Sequence, residues 1–154
     1  MNTFGPRMKA LLIICLSLGL LACNTAEKPP SGINIKQFQG QWLVINYWAQ
    51  WCKPCIEEIP ELNALDQKFE QITVLGVNYD GVSGEELATQ AQKLGLKFAS
   101  LEEDPSAQLG VPRPIVLPST LIVNPDGEVV ATLLGPQTLE SLSEAAGQAD
   151  ETTP

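Results

Sequence analysis

Two cysteines three positions apart, Cys52 and Cys55, are the residues of this sequence best suited to chemistry, with Lys53 and Pro54 between them. If the run that follows is helical, such residues share one face, and their sulfurs can join with little backbone movement. The pair can then alternate between dithiol and disulfide. Two other uses compete, a purely structural disulfide and half of a zinc site. The chain has no histidine, and its other cysteines, Cys15 and Cys23, both lie near the N-terminus, so a typical zinc ligand set is missing and no metal is expected. A disulfide closing so short a loop adds little chain-entropy stabilisation. Reversible redox chemistry is therefore the expected use.

The elements around the pair follow from hydrophobic patterning. Trp42-Leu43-Val44-Ile45-Asn46-Tyr47-Trp48 is a β-branched and aromatic run with little alternation, as in a central strand covered on both faces, and it leads to Cys52. From Lys53 to about Phe69, the residues Ile56, Ile59, Leu62, Leu65 and Phe69 recur at helical spacing, with Glu57, Glu58, Glu61 and Lys68 largely filling the other positions. Pro54 falls in the first turn, where its missing N–H is not needed, and Pro60 is expected to kink the helix. Cys52 then sits at the helix N-terminus, where unpaired N–H groups and the macrodipole favour a thiolate, which makes it the predicted nucleophile. Cys55, a turn deeper on the apolar side, is the predicted resolving thiol.

Further along, Ile72 to Asn78 is a second buried strand, and a helix is predicted from about Glu85 to Leu94 after a loop with Gly81 and Gly84. The order βαβα favours parallel pairing. Lys97 to Leu101 is read as a short strand and Pro105 to Leu109 as a helical turn. Thr120 to Val123 and Glu128 to Leu133 flank Asn124-Pro125-Asp126-Gly127, a hairpin signature. A last helix is expected from Leu139 to Ala146 with Thr138 as its N-cap, before a polar, disordered tail at 147–154. The whole describes one domain, residues 33–146, with no internal repeat.

The N-terminus reads as an export signal, residues 1–22, with Arg7 and Lys9 ahead of an apolar run from Ala10 to Leu21. A permanent spanning helix needs roughly 20 apolar residues, and Ser17 and Gly19 interrupt this run. Its end, Leu20-Leu21-Ala22-Cys23, resembles the bacterial lipobox. That resemblance implies that Cys23 becomes the first mature residue and carries the lipid, with 23–32 as a tether to a membrane surface outside the cytoplasm, in the periplasm. Cys15 would leave with the signal and Cys23 would be blocked, so Cys52 and Cys55 would be the free thiols of the mature chain. Without Arg7 and Lys9 the net charge of −9 becomes −11, which excludes nucleic acid as a natural partner. The carboxylates are spread along the chain, as solubility requires, and do not identify a substrate.

The segment Asn46-Tyr47-Trp48-Ala49-Gln50-Trp51-Cys52-Lys53-Pro54-Cys55 resembles the active-site segment of thioredoxins, above all the TlpA/ResA-like membrane-anchored thioredoxin family. Similarity extends from about Phe38 to Leu142. The resemblance implies an α/β thioredoxin-like fold, a central mixed β-sheet with helices on both faces and a strand–helix insertion that Glu85 to Leu101 would supply. It implies an extracytoplasmic thiol-disulfide oxidoreductase that mainly reduces protein disulfides, with no cofactor beyond the redox-active disulfide. Its electron donor would be a membrane thiol reductase of the DsbD or CcdA type, and apocytochrome c maturation is a family-based candidate role.

In thioredoxins proper a buried aspartate occupies the place of Asn46, and an amide cannot carry a proton for Cys55. The ResA-like branch resembles this chain in having a carboxylate three residues after the second cysteine, here Glu58, which could act on Cys55 as acid or base. The alternative is a solvated glutamate on the helix face. Leu117-Pro118-Ser119-Thr120 resembles the family's cis-proline loop, which faces the cysteines and aligns substrate backbone; a trans proline ahead of a strand is the alternative. Trp48 is most simply core packing, and Trp51 is placed on the rim of the reactive sulfur, where it would meet substrate. The approach to the proline, Gly110 to Leu117, is longer than usual for the family, and the N-terminal hairpin is abbreviated, which would leave a sheet edge exposed or free for a partner. Two other functions remain open, a disulfide-donating oxidase and a non-catalytic binding or chaperone module.

Overall fold

The computed structural model describes residues 35–147, so the expected signal at 1–22, the lipid site Cys23, the tether and nearly all of the expected tail lie outside the described residues. After a short 3-10 helix at Ile35–Phe38 come β1 (Trp42–Trp48), α1 (Lys53–Lys68), β2 (Ile72–Asn78), α2 (Gly84–Leu94), β3 (Ala99–Leu101), β4 (Ser119–Val123), β5 (Val129–Leu134) and α3 (Leu139–Ala145). The five strands form one mixed sheet in the order β3-β2-β1-β4-β5. β1 lies at its centre, parallel to β2 and antiparallel to β4, and β3 adds parallel to β2. This is the buried central strand that the unalternating run Trp42–Trp48 predicts.

Helices of different kinds cover the two faces. Successive parallel strands step in one direction across the sheet, and right-handed crossovers then bring α1 and α2 to the same side. There Val44, Val74 and Ile122 pack with Leu62 and Leu65 of α1 and with Leu142 and Ala146 at α3. Leu87 of α2 joins a second cluster on that side with Trp48, Cys52 and Cys55. The other face buries Leu43, Ile45, Tyr47, Leu75, Val77, Leu121 and Val123. Its cover is Ile35 and Phe38 of the 3-10 helix together with Leu109, Val111 and Leu117 from the connection between β3 and β4.

Local chemistry explains most boundaries. Pro54 falls within the first two positions of α1, and Pro60 leaves the helix unbroken over its 16 residues. The hairpin turns at Asn124 to Gly127, where Gly127 N–H donates to Asn124 C=O (2.9 Å) with glycine at φ +86°, a conformation that costs other residues dearly. Thr138 caps α3 through a reciprocal bond set with Ser141. Pro105 to Leu109 closes as a single turn, Leu109 N–H to Pro105 C=O at 3.0 Å. Gly76 is a glycine of necessity in mid-strand, because a Cβ there would come within 2.8 Å of Trp48 Nε1 and 3.1 Å of Ser100 Oγ. The indole of Trp48 therefore lies directly across β2. Among the described residues no helix is long and apolar enough to cross a membrane.

Candidate active site

Cys52 is the N-cap of α1, with extended backbone angles that turn the chain out of β1 and into the helix. Its Sγ accepts a hydrogen bond from Cys55 N–H at 3.3 Å, one of the donors a helix start leaves without an intrahelical partner. Cys52 and Cys55 are joined as a disulfide, S–S 1.96 Å, with their Cα atoms 5.3 Å apart. Cys52 is 4% exposed and Cys55 1%, so the shielding expected of the second sulfur extends to both. Trp51 stands out beside them, 66% exposed, with its indole N–H donating to the Asp80 carboxylate at 3.0 and 3.2 Å.

Glu58 follows Cys55 by one helical turn and therefore shares its inward face. It is 2% exposed, which rules out the solvated helix-face glutamate. Oε1 accepts from Asn46 Nδ2 at 2.6 Å and Oε2 from Gln137 N–H at 3.2 Å. Burial pushes its carboxyl up to about 7, while the Gln137 N–H and the Asn46 amide pull the other way without winning. Asn46, opposite Thr120 in the β1–β4 register, also donates to Thr120 Oγ1 at 3.0 Å, and its Oδ1 is buried without a partner. A carboxyl group pushed up to about 7 by burial thus sits one helical turn from Cys55.

The Leu117–Pro118 peptide bond is cis. Leu117 packs against the cluster that holds Cys52 and Cys55, Pro118 C=O accepts from Gly135 N–H at 3.0 Å, and Ser119 Oγ donates to Val116 C=O at 2.7 Å. Of the predicted site residues, Cys52, Cys55 and Leu117 share one cluster, Pro118 adjoins it, Glu58 lies a helical turn along α1, and Trp51 stands at the surface. Among the described residues no group of three or more His, Cys, Asp or Glu could hold a metal ion.

A second polar cluster escaped the sequence reading. Tyr47 OH donates to Asp104 Oδ1 at 2.7 Å, Ser106 N–H donates to the same oxygen at 2.9 Å, and Arg113 Nε lies 2.8 Å from Asp104 Oδ2. Arg113 also donates through Nη2 to Tyr79 C=O and stacks its guanidinium 4.2 Å from the centre of the Tyr79 ring. Partial burial opposes ionisation of Asp104, but the Ser106 and Tyr47 donors and the Arg113 charge hold its carboxyl below the usual value. Nothing in the periodicity signals this cluster, since Arg113 lies between Pro112 and Pro114 in a stretch with no regular pattern.

A mixed sheet whose central strand runs into a Cys-x-x-Cys helix start, with a cis-proline next to a leucine that packs on the cysteine cluster, defines a thioredoxin-like fold. The AhpC/TSA family profile matches residues 24–132, and the chain belongs to that family. It is 29% identical over 114 residues to the thiol-disulfide oxidoreductase ResA of Bacillus thuringiensis (strain Al Hakam), covering 71% of this chain and 64% of that protein. It is 28% identical over 131 residues to the thiol:disulfide interchange protein HelX of Rhodobacter capsulatus, covering 81% and 72%. The chain thus spans less than two thirds of the length of that ResA. A thioredoxin family thiol:disulfide interchange protein from Chlorobium tepidum superposes with a TM-score of 0.57 over 74% of this chain and 83% of its own, at 18% identity, and shares the fold.

Proposed function

We propose that this protein is an extracytoplasmic thiol-disulfide oxidoreductase that reduces disulfides of other proteins. The observation that carries the reading is the Cys52–Cys55 bond at the first turn of α1, with a helix N–H already on Cys52 Sγ. In the reduced state the Cys52 thiolate attacks a substrate disulfide, forming a mixed disulfide and releasing one substrate thiolate, which takes up a proton. Cys55, deprotonated by Glu58, then attacks Cys52 Sγ, regenerates the internal disulfide and releases the second substrate sulfur. Two electrons pass to the substrate, and a membrane dithiol reductase of the DsbD or CcdA type restores the pair. Leu117, Pro118 and Trp51 form the surface that receives the substrate backbone. An apocytochrome c, which carries a cysteine pair of its own, is the first substrate to try.

Titration of the purified protein against glutathione buffers tests the direction of transfer. A midpoint near the thioredoxin value of about −270 mV is expected, and one near about −120 mV would make the protein an oxidase instead.

The reading includes export of residues 1–22, lipidation at Cys23, a tether at 23–32 and a catalytic domain at 33–146. Basic residues, apolar run and lipobox in that order support it. In a bacterial host, the native protein should incorporate labelled palmitate and Cys23→Ser should not. Absence of label in the native protein would remove the lipid from the account.

A further inference from the structure

The connection between β3 and β4, residues 102–118, has no helix or strand of its own, yet it delivers the proline of the site. Connections this long inside a compact domain are usually functional. Its last arm, Pro112 to Pro118, ends at Leu117 against the cysteine cluster and leaves Ile115 89% and Val116 49% exposed. Pro112 and Pro114 have no N–H to give, so backbone donors cannot fasten the chain on either side of Arg113. Ser119 Oγ holds Val116 C=O at the far end of the arm, and at its start the fastening is the Arg113 side chain. Its planar fork reaches the Asp104 carboxylate with one nitrogen and Tyr79 C=O with another while the guanidinium lies on the Tyr79 ring. Both anchors are themselves fixed to the central strands. Asp104 is held by the hydroxyl of Tyr47 on β1, and Tyr79 N–H donates to Trp48 C=O at 2.8 Å, just ahead of the cysteines.

We propose that Arg113 is a positioning residue for protein substrates: by clamping this arm to Tyr79 and Asp104 it holds Ile115, Val116 and Leu117–Pro118 in register with the Cys52–Cys55 pair. The inference rests on the reading of the protein as a thiol-disulfide oxidoreductase. Arg113 touches neither sulfur, so its effect falls on how a polypeptide lies beside the pair and not on the chemistry of the pair. A lysine, which carries a point charge in place of a fork, can satisfy Asp104 but not both anchors at once.

The experiment compares the full chain with Arg113→Met, Arg113→Lys and Asp104→Asn, the last of which keeps an acceptor for Tyr47 but removes the charge facing Arg113. Three quantities are measured: kcat and KM for insulin reduction, the rate with hydroxyethyl disulfide, and the reduction potential. Arg113→Met should raise KM for insulin about tenfold with kcat within roughly twofold, and leave the small-disulfide rate and the potential unchanged. Arg113→Lys should fall between, and Asp104→Asn should shift KM in the same direction. An unchanged KM, or equal losses with insulin and hydroxyethyl disulfide, would overturn the proposal, as would a shifted potential. Should Arg113→Met fail to fold, Arg113→Lys and Asp104→Asn decide the matter. A native chain with no insulin turnover would instead remove the oxidoreductase reading, and the role of Arg113 with it.

Discussion

Cys52→Ser should reduce insulin-disulfide turnover by about three orders of magnitude or more, as loss of a reacting group does in other enzymes. The hydroxyl occupies the same N-cap position and accepts the same Cys55 N–H, so the fold has little reason to change. What is lost is the sulfur that attacks. Cys55→Ser should behave differently, because Cys52 can still open a substrate disulfide but nothing displaces it afterwards. Mass spectrometry should then find the substrate held covalently on Cys52. Both results follow only if the sulfurs have unequal roles, and equal residual activity in the two variants would contradict that. A cellular phenotype that survives Cys52→Ser would point to the binding or chaperone role.

The second large effect belongs to Glu58, which stability and rate should report together. Its carboxyl rises from 4.5 to about 7 on folding, so the native state holds the proton more tightly than the unfolded chain does. The native state is therefore at no disadvantage below about pH 4.5 and loses stability as pH rises from there through 7. The full loss is about 3 kcal/mol above that range. Urea midpoints of the oxidised protein should fall between pH 5 and 8, and Glu58→Gln should flatten the curve and be the more stable form at pH 8. Resolution of the mixed disulfide should slow in the same variant by about 10- to 100-fold and lose its inflection near neutral pH. A Glu58→Gln protein with the native pH–rate profile would leave Cys55 dependent on some other proton acceptor.

The elements that position the cysteines were legible because their signals are local. Strand β1 announces itself by an unbroken apolar run, α1 by spacing and by Pro54, the hairpin by Asn124 to Gly127, and α3 by Thr138. Each is decided within a few residues of itself. The surroundings of Glu58 are not, since its partners Asn46 and Gln137 lie 12 and 79 residues away in the chain, and helical periodicity alone permits either a wet or a dry glutamate. The expectation of a cis bond at Pro118 came from a four-residue resemblance and not from any periodicity. The fastening of Arg113 to Tyr79, 34 residues distant, depends on tertiary placement of a loop without pattern, and no sequence rule reaches it.

One carboxylate of α1 ties the helix to the strand that precedes the cysteines and to the backbone just ahead of α3. A laboratory selection that rewards only survival of heat at alkaline pH would accordingly favour replacement of this residue. The survivors would be hardier proteins and poorer electron carriers, so durability and turnover are traits that breeding this molecule would set against each other.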